Sequence, residues 1–196
     1  MVRVFETGTQ PRSHARAAAQ RRYAGNVKIA GATHEDFLQI LRDLPDFWAT
    51  SGPALRTLPY HYPFLVHEFR DTAFVIREDS TVIAYLFGFI ATAEPVGYIH
   101  LVGVRASRQG KGIGRALYEH FAEVARERGC RQVRAVTAPF NEDSRAFHAA
   151  LGFEATGPSR DAAGLPVYPD YHGVGEDVII FSKPIASDGE PRGTTL

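Results

Sequence analysis

Between residues 113 and 124 the apolar positions Ile113, Leu117, Phe121 and Val124 recur at steps of four, four and three, and Arg126, Glu127 and Arg128 follow on the polar side. That spacing predicts an amphipathic helix with one buried face, ended by Gly129. Before it the chain is rich in β-branched and aromatic residues. Thr72 to Arg77 and Val82 to Thr92 predict two strands joined by a turn at Glu78-Asp79-Ser80, and Tyr98 to Val104 predicts a third. Gln132 to Val136 predicts a strand that returns parallel to the Tyr98 strand, because a helical crossover of this length favours the right-handed βαβ arrangement.

The flanks are read in the same way. Val27 to Ala30 predicts a short strand. Thr33 is an N-cap candidate for a helix with Phe37, Leu38, Ile40, Leu41 and Leu44 on its apolar face, and Pro45 should end it. Phe47 to Phe69 mixes aromatics and histidines with Gly52 and three prolines, which predicts a short helix and loop. Ser144 to Leu151 predicts a short helix, after which Phe153 to Ala155 and Val178 to Ser182 close the sheet. The expectation is an α/β fold with a mixed sheet.

A chain of 196 residues with 44% hydrophobic positions is long enough for one domain with a sizeable core. Residues 1–26 carry Arg3, Arg12, Arg16, Arg21 and Arg22 against Glu6 and few large apolar side chains, which predicts a flexible basic arm. That arm reads as a solvated leader, with an organelle transit peptide as the other reading. The folded domain is expected over 27–185 and a flexible tail over 186–196. Lys plus Arg, 22, equal Asp plus Glu, 22, so no global field draws the chain to nucleic acid or an anionic membrane. No apolar run has the length of a membrane span, and a cytoplasmic protein is expected. The single cysteine, Cys130, reads as an inert residue between helix and strand. His61, His67, His100 and His172 lack metal-ligand spacing, so no metal is expected.

Candidate chemistry gathers where the third strand runs into the helix, from Val102 to Arg115. Glycines at 110, 112 and 114 remove side chains where a backbone must approach a ligand, and N–H groups at a helix start can point at an anion. Arg105, Arg108, Lys111 and Arg115 lie in this stretch with no acid among them, so a polyphosphate is the natural ligand; a plain tight turn is the other reading. A P-loop would need Ser or Thr after Gly110-Lys111, where Gly112 stands. A dinucleotide fingerprint would need glycine at Arg115 and a place in the first βαβ unit.

Gln109-x-x-Gly112-x-Gly114 resembles the pyrophosphate-binding signature of the GNAT superfamily of N-acetyltransferases. The stretch from Asn141 to Phe153, with its asparagine, short helix and terminal Gly152-Phe153, resembles that family's second motif. The resemblance covers Val27 to Lys183. It implies a single-domain GNAT fold, a mixed sheet splayed between two parallel strands and flanked by helices, with acetyl-CoA inserted at the splay.

The resemblance also implies roles for individual residues. Arg108, Gln109, Gly110, Lys111, Gly112, Ile113, Gly114 and Arg115 would hold the phosphates. The main chain of Val102, Gly103 and Val104 would pair with the pantetheine amides, and Asn141, Ser144, Phe147 and His148 would flank the cofactor. At Asn141 the residues equally allow a helix-entry role, and Ser144 reads as an N-cap. The family places a tyrosine proton donor where this chain has His148, which leaves three readings: donor, hydrogen-bonding residue or packing residue. His100 lies mid-strand, where alternation would put it on one face with Tyr98 and Val102. It is a candidate base, or a buried structural histidine, with Glu68 as another proton acceptor through water.

The implied function is acetyl transfer from acetyl-CoA directly to the amine of a small molecule, peptide or protein in a ternary complex. A noncatalytic acyl-CoA sensor is the alternative, motivated by His148. The acceptor pocket is expected from two segments, 46–68 and 157–177, with Asp46, Trp48, Tyr60, Tyr62, His67, Glu68, Asp170, Tyr171 and His172, an aromatic wall suited to a cationic amine. A homodimer is compatible with the family.

Overall fold

Alternating and aromatic-rich segments build an antiparallel run of four strands, β1 (Ile29–Gly31), β2 (Ala73–Glu78), β3 (Thr81–Ala91) and β4 (Val96–Val104). The computed structural model describes residues 28–48 and 60–185. The expected arm over 1–26 and tail over 186–196 lie outside them. Helices α1 (His34–Arg42), α2 (Leu44–Trp48) and α3 (Phe64–His67) come between β1 and β2. After β4 the chain passes through α4 (Ile113–Glu127) to β5 (Gln132–Thr137), then α5 (Glu142–Ala150) and β6 (Glu154–Thr156). A hairpin of β7 (Ser159–Arg160) and β8 (Pro166–Val167) precedes β9 (Ile179–Pro184).

The seven-stranded sheet has the order β1-β2-β3-β4-β5-β9-β6. Its one parallel pair, β4 with β5, is the pairing expected from the helical crossover. That pair is short. Val96 to Ile99 lie beside Gln132 to Ala135, and from there β4 continues to Val104 along β3 while β5 continues to Thr137 along β9. The two halves of the sheet therefore part beyond Ile99, and among the described residues the β5-facing edge of β4 has no strand partner from His100 to Val104.

Each face of the sheet has its own core. On one, α4 buries Ile113, Leu117, Phe121 and Val124 as its spacing requires, together with Ala116, Tyr118 and Ala125. Phe121 lies so close to the strands that a Cβ at Gly88 would come within 2.6 Å of its ring, and one at Gly97 within 2.9 Å. On the other face Phe37, Ile40, Leu44, Phe47 and Leu65 from α1, α2 and α3 pack on Tyr85 and Phe87 of β3.

Local chemistry sets the ends of α1. Thr33 caps it by a reciprocal pair: Asp36 N–H donates to Thr33 Oγ1 at 3.2 Å, and Thr33 N–H donates to Asp36 Oδ2 at 2.6 Å. Arg77 Nε donates to Asp36 Oδ1 at 2.7 Å. Burial raises the Asp36 pKa, but the hydrogen bonds from Arg77 and Thr33 outweigh it and the net shift is downward. Pro45 does not end this helix. Asp43 is its C-cap, and Pro45 sits in the first turn of α2, where a missing N–H disturbs nothing. Leu38, expected on the apolar face, is 40% exposed, because the buried stripe runs through Phe37, Ile40 and Leu44.

In β4 strand alternation fails at one residue. Phe87 is paired with Leu101 and Gly88 with Ile99, so His100 is an extra residue in β4, a β-bulge. Before it Ile99 faces the α4 core; after it Leu101 faces the α1 core, and Val102 and Val104 return to the α4 side. The expectation that Tyr98, His100 and Val102 share a face is thus corrected. The bulge reverses the phase, leaving Tyr98 and His100 on the face away from α4. Among the described residues no helix is long and apolar enough to cross a membrane.

Candidate active site

The glycine-rich turn after β4 takes a shape that side chains resist. Gly110 and Gly112 have φ of 73° and 77°, and Gly112 is the N-cap of α4 with no side-chain cap. The first helical hydrogen bond returning to this cap is Ala116 N–H to Gly112 O at 3.0 Å, so the N–H groups of Ile113, Gly114 and Arg115 precede the ladder. Together with the helix dipole they form a concave donor set for an anion. Gln109 Nε2 donates to Val104 O at 3.1 Å, tying the turn to the strand.

The four cations of the turn divide by environment. Arg105, only 12% exposed, donates to Val82 O at 2.6 Å, pairs with Asp43 and Asp46, and lies over the Phe47 ring at 4.9 Å. It anchors the turn to α2. Arg108 is exposed and bonded by its Nε to Glu78 at 2.9 and 3.0 Å. This bond holds the Glu78 carboxyl below its ordinary range. Lys111 and Arg115 are exposed, and Arg115 Nη2 donates to Ala150 O at 3.1 Å.

Across the gap from β4 lies the start of α5. Asn141 is its N-cap, with Oδ1 accepting from Ser144 N–H at 3.1 Å, so Ser144 is in the first turn rather than at the cap. An asparagine before two acids is the stronger capping signal. Phe147 fits over Gly114, where a Cβ would come within 3.1 Å of its ring, and so fastens α5 to the first turn of α4.

His148 points inward. It is 2% exposed and stacked on Phe181. Its Nδ1 is 2.7 Å from Ser144 O, which can only accept, so this nitrogen carries the proton; Nε2, 2.9 Å from Tyr118 Oη, then accepts from the hydroxyl. Burial pulls its pKa down to about 4, partly offset by the bond to the Ser144 carbonyl, so the ring is neutral at pH 7. Tyr118 was not singled out from sequence, although Gly114, Tyr118, Phe121 and Ala125 form a second helical stripe.

His100 stands where β4 and β5 part. Its Nε2 is 3.0 Å from Tyr60 O and must carry the proton, which leaves the Nδ1 lone pair without a hydrogen bond among the described residues. Burial lowers its pKa, the Tyr60 bond opposes this, and nearby His172 adds to the lowering. Glu68, exposed at the end of α3, has no hydrogen bond to His100. Trp48 Nε1 and His61 Nε2 meet the buried Tyr85 hydroxyl at 2.9 and 2.8 Å, so they hold the α1 side together. Among the described residues no group of three or more His, Cys, Asp or Glu could hold a metal ion.

The family model described as Acetyltransferase (GNAT) family matches residues 35–153. L-2,4-diaminobutyric acid acetyltransferase of Shouchella clausii is 29% identical over 93 residues, 47% of this chain and 52% of that protein. The chain spans about half the length of the curated relatives it matches. Among solved structures, a putative GNAT-family acetyltransferase from Desulfovibrio desulfuricans superposes with a TM-score of 0.65 at 21% identity, covering 82% of this chain and 99% of that one. A putative acetyltransferase from Salmonella typhimurium, yncA, solved with its cofactor acetyl-CoA, gives 0.55 at 20%, covering 87% and 100%. The glycine turn and the parted parallel strands both lie inside the matched region, and the chain belongs to the acetyltransferase (GNAT) family.

Proposed function

We propose that this protein binds acetyl-CoA between β4 and β5 and moves its acetyl group directly to the amine of a small molecule or peptide. The observation that carries this reading is the parting of the two parallel strands beside an uncapped helix start. The turn supplies N–H groups for a pyrophosphate, and the adjoining edge of β4 supplies N–H and C=O groups for an amide-bearing arm.

In this reading the donors from Gln109 to Gly114 hold the pyrophosphate. Lys111 and Arg115 reach outer phosphates, and Arg108 does so by turning from Glu78. The main chain of Val102, Gly103 and Val104 aligns the pantetheine, flanked by Asn141, Ser144 and Phe147. His100, neutral and with Nδ1 free, accepts the proton that the amine loses as its nitrogen attacks the thioester carbonyl. The C–S bond breaks, and the thiolate, whose conjugate acid has a pKa of about 8.5 like an ordinary thiol, takes a proton from solvent. Glu68, which has no hydrogen bond to His100, is a further acceptor only through water, so the first proton leaves His100 for bulk solvent. His148 acts through Tyr118 as a positioning residue for α5, because both its nitrogens are engaged. The same engagement favours a second reading, an acyl-CoA-binding domain without turnover.

The test is thiol release from acetyl-CoA across an amine panel, paired with calorimetry of CoA binding. Amine-dependent turnover supports transfer. Binding without turnover selects the second reading, and absence of both, with the protein folded, overturns the proposal.

A further inference from the structure

On the face of β4 away from α4, rings from separate segments meet at the bulge. Phe89 and Tyr98 stack at 4.9 Å, and Tyr98 and Tyr60 each lie 6.5 Å from His100. Tyr60 lies 5.7 Å from His172, which lies 5.3 Å from Tyr171, and Tyr171 comes near enough to Tyr98 to add to burial in raising that phenol above its ordinary range. These six side chains come from β3, β4, the segment before α3 and the segment between β8 and β9. Tyr171 is 46% exposed, so the wall they form opens to solvent at one end and reaches His100 at the other.

Of the acids that sequence places near this wall, two are occupied elsewhere. Asp46 pairs with Arg105, and Asp170 Oδ1 accepts from Gly175 N–H at 2.6 Å. Glu68 stands exposed at the end of α3, and residues 49–59 contain no Asp or Glu. The other carboxylates of the β7 to β9 region, Asp161, Glu176 and Asp177, line a separate groove of about 430 Å³ with Phe140 and Arg145. Ring faces attract one ammonium and pack against apolar carbon, but a second ammonium needs a counter-charge, and among the described residues no carboxylate is hydrogen-bonded to this wall.

We infer that the acceptor is a monoamine on an aromatic body, its ring seated against Tyr98 and Tyr171 and its amine directed to His100. The inference rests on the acetyl-transfer reading above and narrows it. The wall leaves the amine a single charge to lose, and His100 Nδ1 is the acceptor at its inner end.

The experiment compares phenethylamine and tyramine with L-2,4-diaminobutyrate and spermidine as acceptors for acetyl-CoA turnover, using wild type, Tyr171→Ala, Tyr171→Phe and Glu176→Gln. Aromatic monoamines should be preferred by about tenfold or more in kcat/KM. Tyr171→Ala should raise their KM by about tenfold with kcat and CoA affinity little changed, and Tyr171→Phe should restore KM. Glu176→Gln should have no effect. Preference for diaminobutyrate or spermidine, or an unchanged KM in Tyr171→Ala, overturns the inference while leaving acetyl transfer in place. If no amine turns over, saturation-transfer NMR with phenethylamine and CoA decides. A signal in wild type that Tyr171→Ala loses supports the ring seat although the transfer reading has failed; no signal in wild type overturns the seat as well.

Discussion

The imidazole of His148 lies flat against Phe181, with ring centroids 4.6 Å apart and planes 12° from parallel. A ring buried this way resists protonation, and the bond to the Ser144 carbonyl opposes that only in part. Its folded pKa of about 4 is below the unfolded value of 6.5, so between these values the unfolded chain binds more protons. Stability is full above pH 6.5, falls as pH drops toward 4, and levels off below it. The contribution is on the order of 3 kcal/mol. Urea midpoints from pH 7.5 to 4.5 should fall, and His148→Phe should flatten the profile in part. His100 and His120, also lowered by burial, keep a residual slope.

Arg105 and Arg108, three residues apart, should behave oppositely. Arg105→Ala strands Asp43 and Asp46 and should lower the unfolding temperature by several degrees. Arg108→Ala should leave that temperature unchanged and weaken CoA binding by calorimetry. Equal melting losses in both would contradict the division.

At Gly112 the φ of 77° matters more than space, since a Cβ there meets nothing within 4 Å. Gly112→Ala should cost about 1–2 kcal/mol by thermal unfolding, from left-handed strain alone. CoA affinity should fall with it, because relaxing the strain turns the N–H groups away.

The role proposed for His100 should show in the pH profile. The acid limb of kcat/KM should lie below pH 6.5, in the direction of its shift, and His100→Ala should abolish that limb while lowering kcat by about 10²–10⁴-fold. A wild-type profile with no such limb would remove His100 from the reaction.

What the sequence made legible was local. The α4 stripe and the glycine turn are short-range patterns, and the parallel β4–β5 pair follows from the handedness of one crossover. What it concealed depends on distance or on a single extra residue. Asp43 and Asp46 are 62 and 59 positions from Arg105, so nothing near the turn showed that one of its cations was already bound. His148 carries the family's motif position, but Phe181 and Tyr118, which draw its ring inward, come from elements far along the chain. The bulge left no mark in composition, and alternation was carried straight through it.

β4 has something like a reading frame, and that extra residue lies outside it. Substituting His100 would change its chemistry but leave every later residue in phase. Deleting it would close the bulge: Leu101 would follow Ile99 in plain alternation, and Val102, Gly103 and Val104 would keep the faces they now hold. A Cβ at Gly103 already would lie 2.4 Å from the Tyr85 ring, so that face has no room for branched side chains. The strand thus tolerates change or loss of the residue at position 100 without turning Val102 or Val104 toward Tyr85, and what that residue contributes is its own side chain and the local kink.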